Sequence, residues 1–245
     1  MEKMETIPFQ RFRGRLEYLQ QHMQVVDVAI TKLFTQTQGH HGQGGTILDA
    51  LQVNSPRYDR LRHPVNQDAR VFNFSRSRNI EHALISLYRY FSEYMQGLLA
   101  EIYVTNPMVV VGKAPGSLQY PDIVKLGSFD AIAEKMIGNV FRKLEDERST
   151  VKLLDKILDH TGVHPDPAQT EAALMYLEMR HLFVHNHGKA DEGFVARYGA
   201  MTGLALGQRL PTKFQTARSG INAVETLLKD IDTQMIATGF ARATP

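Results

Sequence analysis

The sequence predicts an all-α protein, a bundle of four to five core helices with an added N-terminal helix and a basic loop. Apolar residues recur at spacings of three and four through long stretches of the 245-residue chain. Helix start and stop signals stand at the edges of those stretches. The one short strand candidate, residues 108–111, is too isolated to change the class.

The first helix is expected over residues 8–37, where Phe12, Leu16, Leu19, Met23, Val26, Ile30 and Leu33 form one stripe and Gly39 follows as a stop. His40 and His41 open a Gly-rich loop to Gly45, and neighbouring side chains in such a loop make a poor chelate, so it reads as solvated. Residues 52–78 show no sustained periodicity. They hold Arg57, Arg60, Arg62, Arg70, Arg76 and Arg78 against Asp59 and Asp68, with Tyr58, Phe72 and Phe74 between them. Cations interleaved with aromatics suit a phosphate backbone and stacked bases; a plain surface connection is the alternative.

A second long helix is expected over residues 77–105, with Ile80, Leu84, Leu87, Phe91, Met95, Leu98 and Ile102 inside and Asn106-Pro107 ending it. Residues 108–127 read as irregular. Ser128 caps a helix to about residue 147, and Ser149 caps another over 150–160. The next helix, within residues 166–191, is the best signalled: Asp166 at the N-cap, Pro167 in the first turn, Gln169 completing a capping box, and Gly188 placed as terminator. Residues 193–211 form a Gly-punctuated connection with a helical turn near 194–198, and a last helix spans 212–238. Two units follow: residues 1–76, a helix and basic segment packing on the bundle, and residues 77–240, the helical domain.

The chain has no cysteine, hence no disulfide framework, thiolate metal site or cysteine nucleophile. The N-terminal residues lack the apolar core of a signal peptide, and the purely apolar runs are far too short to span a bilayer. A soluble, cytoplasmic protein without membrane contact is the expectation. A formal charge of +2 is well short of the balance that announces a nucleic-acid binder by composition.

The chemistry concentrates on the helix within 166–191. Ala172, Ala173, Leu174, Met175, Leu177, Met179, Leu182, Phe183 and Val184 make it apolar on almost every side, yet it carries Arg180, His181, His185, Asn186 and His187 near its end. Burying such groups without partners costs roughly several kcal/mol. Three readings compete. His181 and His185 share a face as metal ligands would, but Leu182 stands where a zinc-protease motif needs glutamate. Glu178 is spaced to pair with a histidine or with Arg180, which would make the cluster structural. Alternatively Arg180 offers a donor fork for phosphate and His185 a group that exchanges a proton near neutral pH. Five residues turn the helix by about 500°, so Arg180 and His185 sit about 140° apart, and one helix alone does not aim both at one point. A second copy across a two-fold axis would bring two of each together.

Arg180-His181-Leu182-Phe183-Val184-His185 resembles the R-x4-6-H motif of the HEPN superfamily, in which a polar residue follows the arginine. The wider run RHLFVHNHGKAD is similar to the signature of HEPN proteins of toxin–antitoxin and phage-defence systems, the RiboL-PSP-HEPN branch among them. The resemblance covers residues 77 to about 238 and leaves 1–76 unexplained. It implies a helical bundle that dimerises and forms an endoribonuclease site, needing no metal or other cofactor, at the interface. His185 would be general base or acid and Arg180 would stabilise the phosphorane, with His181, Asn186, His187 and Glu178 in support. Cleavage by the ribose 2′-OH would leave a 2′,3′-cyclic phosphate and a 5′-OH. The implied partners are single-stranded or loop RNA, a second copy, and a cognate antitoxin or defence-system protein. Arg57, Arg60, Arg62, Arg76 and Arg78 are the candidate RNA contacts. In one HEPN toxin group a tyrosine two residues after the histidine is modified; His187 stands there, so that modification does not carry over. The other reading is a catalytically silent bundle of the same fold that binds RNA or a nucleotide, or serves as an interaction subunit.

Overall fold

The computed structural model describes residues 4–105, 118–145 and 161–244, together with residues 154, 155 and 158. Among them the chain is all-α, with isolated bridges and no strand. Helix α1 spans Ile7–Gln38, α2 Ile47–Ala50, α3 Asp68–Thr105, α4 Tyr120–Leu126, α5 Phe129–Glu145, α6 Pro167–His185, α7 Glu192–Thr202 and α8 Phe214–Ala237; two 3₁₀ segments, Pro56–Leu61 and Val65–Gln67, lie between α2 and α3. No described helix is long and apolar enough to cross a membrane.

Helix α3 is the hub, packing against α1, α5, α6 and α8. Its 38 residues make a rod of about 57 Å. Leu84, Leu87, Phe91 and Met95 from α3 meet Phe9, Phe12 and Leu16 from α1, Leu174, Leu177 and Leu182 from α6, and Ile221, Val224 and Leu228 from α8 in one core. Close approach depends on Gly220: a Cβ there would stand 3.0 Å from the Tyr176 ring and 3.1 Å from Leu84. Any side chain would push α8 off both α6 and α3.

Buried carboxylates pin α1 at both ends. At its start, Thr6 donates its backbone N–H (3.0 Å) and its hydroxyl to the Asp232 carboxylate of α8, and the Tyr94 hydroxyl of α3 donates to the same carboxylate at 3.3 Å. The Thr6 hydroxyl in turn accepts the Phe9 N–H, capping α1. At its end, Thr37 donates its hydroxyl to Asp68 (2.7 Å), the first residue of α3, and the His41 ring meets that carboxylate at 2.9 Å.

Several boundaries differ from the sequence expectation. Helix α3 begins at Asp68, so the basic stretch 68–78 is helical and the division at 76/77 falls inside α3. Its polar residues hide an inward pair: Phe72 is buried and stands edge-on to Phe34 of α1 at 5.8 Å, in a small second core with Ile30 and Ile47. The loop after α1 is not merely solvated, because His41 is tied to Asp68. Helix α4 occupies part of the stretch expected to be irregular, and α7 is a full 11 residues, capped by Asp191 onto the Phe194 N–H. The strand candidate at 108–111 and most of the helix expected at 150–160 lie outside the described residues.

Candidate functional site on helix α6

Helix α6 starts at the predicted N-cap, where the Asp166 carboxylate accepts the Gln169 N–H at 2.8 Å and Pro167 occupies the first turn, but Gln169 does not complete the expected capping box: the Asp166 N–H donates instead to the Asp230 carboxylate of α8 at 3.3 Å. Ala173, Leu174, Met175, Leu177, Met179 and Leu182 are buried. Leu174, His181 and His185 share one face within about 20°, since seven or eleven residues nearly close whole turns. That face is covered at Leu174, half-exposed at His181 and open at His185. Val184 beside it is 47% exposed, contrary to the expectation of burial almost all round. The helix therefore emerges from the core at the positions where the polar groups begin, which removes the desolvation cost that made them puzzling.

The imidazoles of His181 and His185 lie against each other, ring centroids 4.8 Å apart. Half-buried Arg180 points round the helix toward α3, where its guanidinium sits over the Tyr88 ring, 4.8 Å from the centroid. A cation over the ring face is held there by the ring quadrupole, and a guanidinium so placed still carries N–H donors suited to an anion. No described ion pair involves Arg180, His181 or His185.

The helix end is a built turn. The N–H groups of Asn186 and Gly188 both donate to the Leu182 carbonyl at 2.9 Å, and the Asn186 amide donates to the Lys189 carbonyl at 2.8 Å. Asn186 thus commits one of its two side-chain N–H donors to the turn. His187 and Gly188 both take left-handed backbone, with φ of 52° and 70°. Gly188 is required twice over, because a Cβ there would stand 3.1 Å from the Phe183 ring. Residues 207–210 fold back and lock the turn: Leu210 donates to the Gly188 carbonyl and Gly207 to the Ala190 carbonyl, each at 2.8 Å.

Half-buried Glu178 lies toward α7. The Tyr198 phenol there is pushed up to about 12 by burial; Arg197 opposes the shift, and the Glu178 and Glu171 charges add to it. Among the described residues no group of three or more His, Asp or Glu is placed to hold a metal ion.

The five candidate RNA-contact arginines divide. Arg62 pairs with Asp59 at 2.8 Å, and Arg78 with Glu81. Arg76 donates to the Thr31 hydroxyl at 2.8 Å and has Asp27 at 3.7 Å. Arg57 is exposed over its neighbour Tyr58, 5.9 Å from the ring centroid. Arg60 is exposed too and opens onto a cleft of about 350 Å³ with His63, Gln67, Arg70 and Phe74.

Sequence reasoning missed Tyr88, whose role depends on contact between α3 and α6; no spacing within α6 discloses it. Comparison with protein-family models, with curated proteins and with solved structures finds no match for this chain.

Proposed function

We propose that the chain is a metal-independent endoribonuclease of the HEPN kind, a toxin or anti-phage effector of the cytoplasm whose active site forms when two copies meet at the ends of their α6 helices. The observation that carries this reading is the exposure of α6 at Val184 and His185, with the His181 ring against that of His185 and the Arg180 guanidinium beside them over Tyr88. A structural cluster of the Asp232 kind would be buried and closed on itself, whereas His185 is open beside exposed Val184.

The chemistry follows from the residue types. His185 takes the proton of a ribose 2′-OH as the oxygen attacks the adjacent phosphorus. A second imidazole, His181 or the His185 of the other copy, delivers a proton to the departing 5′-oxygen. Arg180 neutralises charge on the non-bridging oxygens as the phosphorane forms. The products are a 2′,3′-cyclic phosphate and a 5′-OH. DNA lacks the nucleophile and is not cut. In-line attack needs a backbone free to rotate, so single strands and loops are the substrates.

One feature favours the silent-module alternative: within a single chain Arg180 leans toward α3, while the imidazoles lie about 100–140° round the helix. Only a second copy brings an arginine opposite a histidine. The deciding assay is cleavage of a mixed RNA panel by wild type, Arg180→Ala and His185→Ala, with and without EDTA. His185→Ala is expected to slow cutting by about 10²–10⁴-fold and Arg180→Ala by about 10²–10³-fold, with EDTA making no difference. No cutting by wild type leaves the silent module, and equal cutting by His185→Ala removes the α6 site as the source of any cleavage.

A further inference from the structure

The cleft at the N-terminal end of α3 differs from the rest of the basic segment. Two neighbouring cations are paired with carboxylates, Arg62 with Asp59 and Arg78 with Glu81, and Arg76 lies outside the cleft. Arg60 and Arg70 meet in the cleft with no described carboxylate among its lining residues, and His63 and Gln67 add further donors. Two exposed arginines lining one cleft without a carboxylate concentrate positive charge there, which suits an anion. An aromatic stands at its edge. Phe74 is 61% exposed, and the Arg78 guanidinium lies 5.1 Å from its ring centroid. An exposed phenylalanine gains nothing from solvent, but it offers a flat surface on which a base can stack.

The placement of this cleft along α3 links it to α6. Arg70, Phe74 and Arg78 recur every four residues, hence on one face of α3, and Gln67 ends the 3₁₀ segment that leads into it. Tyr88, which carries Arg180, is fourteen residues beyond Phe74. Fourteen residues are about four turns, so Tyr88 lies about 21 Å further along and within about 40° of the same face. Arg78 and half-buried Ile85 lie on the way, with Glu81 already paired to Arg78.

We infer that the cleft of Arg60, His63, Arg70 and Phe74 is a docking site for single-stranded RNA, with a backbone phosphate between the two arginines, a base on Phe74, and the strand running along α3 toward Arg180. The inference rests on RNA being the substrate, as proposed above. It assigns the substrate grip to the first turns of α3, several nucleotides away from the reacting phosphate. Recognition here is of phosphate and of any flat base, so the site carries little sequence preference of its own.

The test uses a fluorescein-labelled 2′-O-methyl dodecamer, which lacks the nucleophile, and the full chain. Anisotropy titrations at two salt concentrations compare wild type, Arg60→Gln/Arg70→Gln, Phe74→Ala and, as a control, Arg62→Gln. The replaced side chains are largely solvent-facing, and matching circular dichroism melts establish that each variant folds. The double variant is expected to weaken binding at least about tenfold and to flatten the salt slope by about 0.7, the contribution of one phosphate on a single strand. Phe74→Ala is expected to weaken binding about tenfold with an unchanged slope, and Arg62→Gln less than twofold. The inference is overturned if wild type does not bind the probe, if the double variant keeps the wild-type slope, if Arg62→Gln costs as much as the pair, or if a duplex of the same length binds as well as the single strand. A chain that cuts RNA while its cleft variants bind normally refutes the cleft alone. Tight binding through the cleft without cutting refutes the ribonuclease reading alone.

Discussion

Two polar clusters interrupt apolar stripes on helices of this protein, and they resolve the same problem in opposite ways. Asp232 is 2% exposed on α8, and every donor around it turns inward: the Thr6 N–H, the Thr6 hydroxyl and the Tyr94 hydroxyl. Arg180, His181 and His185 stand near the end of α6, the arginine over the Tyr88 ring and the two imidazoles tilted against each other. The first cluster joins three helices and is closed to a ligand. The second is held in place by ring contacts and is partly open to solvent, with His185 exposed. A polar residue in an apolar stripe is therefore not by itself a functional signal; what separates the cases is whether its partners lie within the fold.

The sharpest way to break this contrast is to truncate one member of each cluster and follow stability and cleavage together. Asp232→Ala leaves two or three buried donors without an acceptor and is expected to cost about 3 kcal/mol in urea unfolding, since each orphaned group costs roughly 1–3 kcal/mol less whatever water recovers. Where the variant remains folded, its cutting rate should match wild type. His185→Ala should change stability by no more than about 0.5 kcal/mol, as expected for an exposed position, while cutting collapses. If His185→Ala unfolds the protein as readily as Asp232→Ala does, the α6 cluster is structural and the contrast is lost.

His187 stands between the two cases. It adopts φ of 52° with Gly188 beside it already left-handed. A non-glycine residue held there carries strain that a glycine would not. His187→Gly is expected to raise stability by about 0.5–1 kcal/mol in the same unfolding assay, the gain from removing the Cβ less the added freedom of the unfolded chain. If the imidazole supports the phosphate site, the stabilised variant will cut more slowly than wild type. Unchanged cutting would reduce His187 to a turn residue, and a loss of stability would show that its ring packs usefully.

How much of this was legible in the sequence follows the range of the forces. Helix α6 was readable because its signals are local: Asp166, Pro167 and Gln169 mark its start and Gly188 its end, all within one segment. The beginning of α3 was not, because the pattern near Phe72 is completed by Phe34, on another helix. The division of the basic arginines was half legible. Arg62 with Asp59 and Arg78 with Glu81 are three residues apart and could be paired on paper, whereas Arg76 with Thr31 and Arg60 with Arg70 depend on how separate segments pack. For the α6 cluster the residue types were visible, and its outward aspect came only with the covering helices.

The smallest expected effect separates the two carboxylates that pin α1, and its sign is set by their surroundings. Burial pushes the Asp232 carboxyl above its ordinary range, against the Thr6 hydroxyl, the Thr6 N–H and the Tyr94 hydroxyl, with Glu5 adding to the rise. Burial also raises Asp68, but the Thr37 hydroxyl, the His41 ring and the Ala69 N–H outweigh it, and that carboxyl is held below its ordinary range. A raised carboxyl contributes stability that is full below the unfolded value of about 3.9 and is lost as pH rises through the folded value. A lowered one contributes stability that is present above about 3.9 and is lost as pH falls through the folded value. Neither asparagine variant titrates at that position. The gap between wild type and Asp68→Asn should therefore narrow as pH is taken from about 7 to about 3.5, while the gap to Asp232→Asn widens over the same interval. Unfolding free energies of the three proteins along that series decide it: parallel curves, or two gaps that move in the same direction, would mean that the two ends of α1 are held by the same balance of burial and hydrogen bonding.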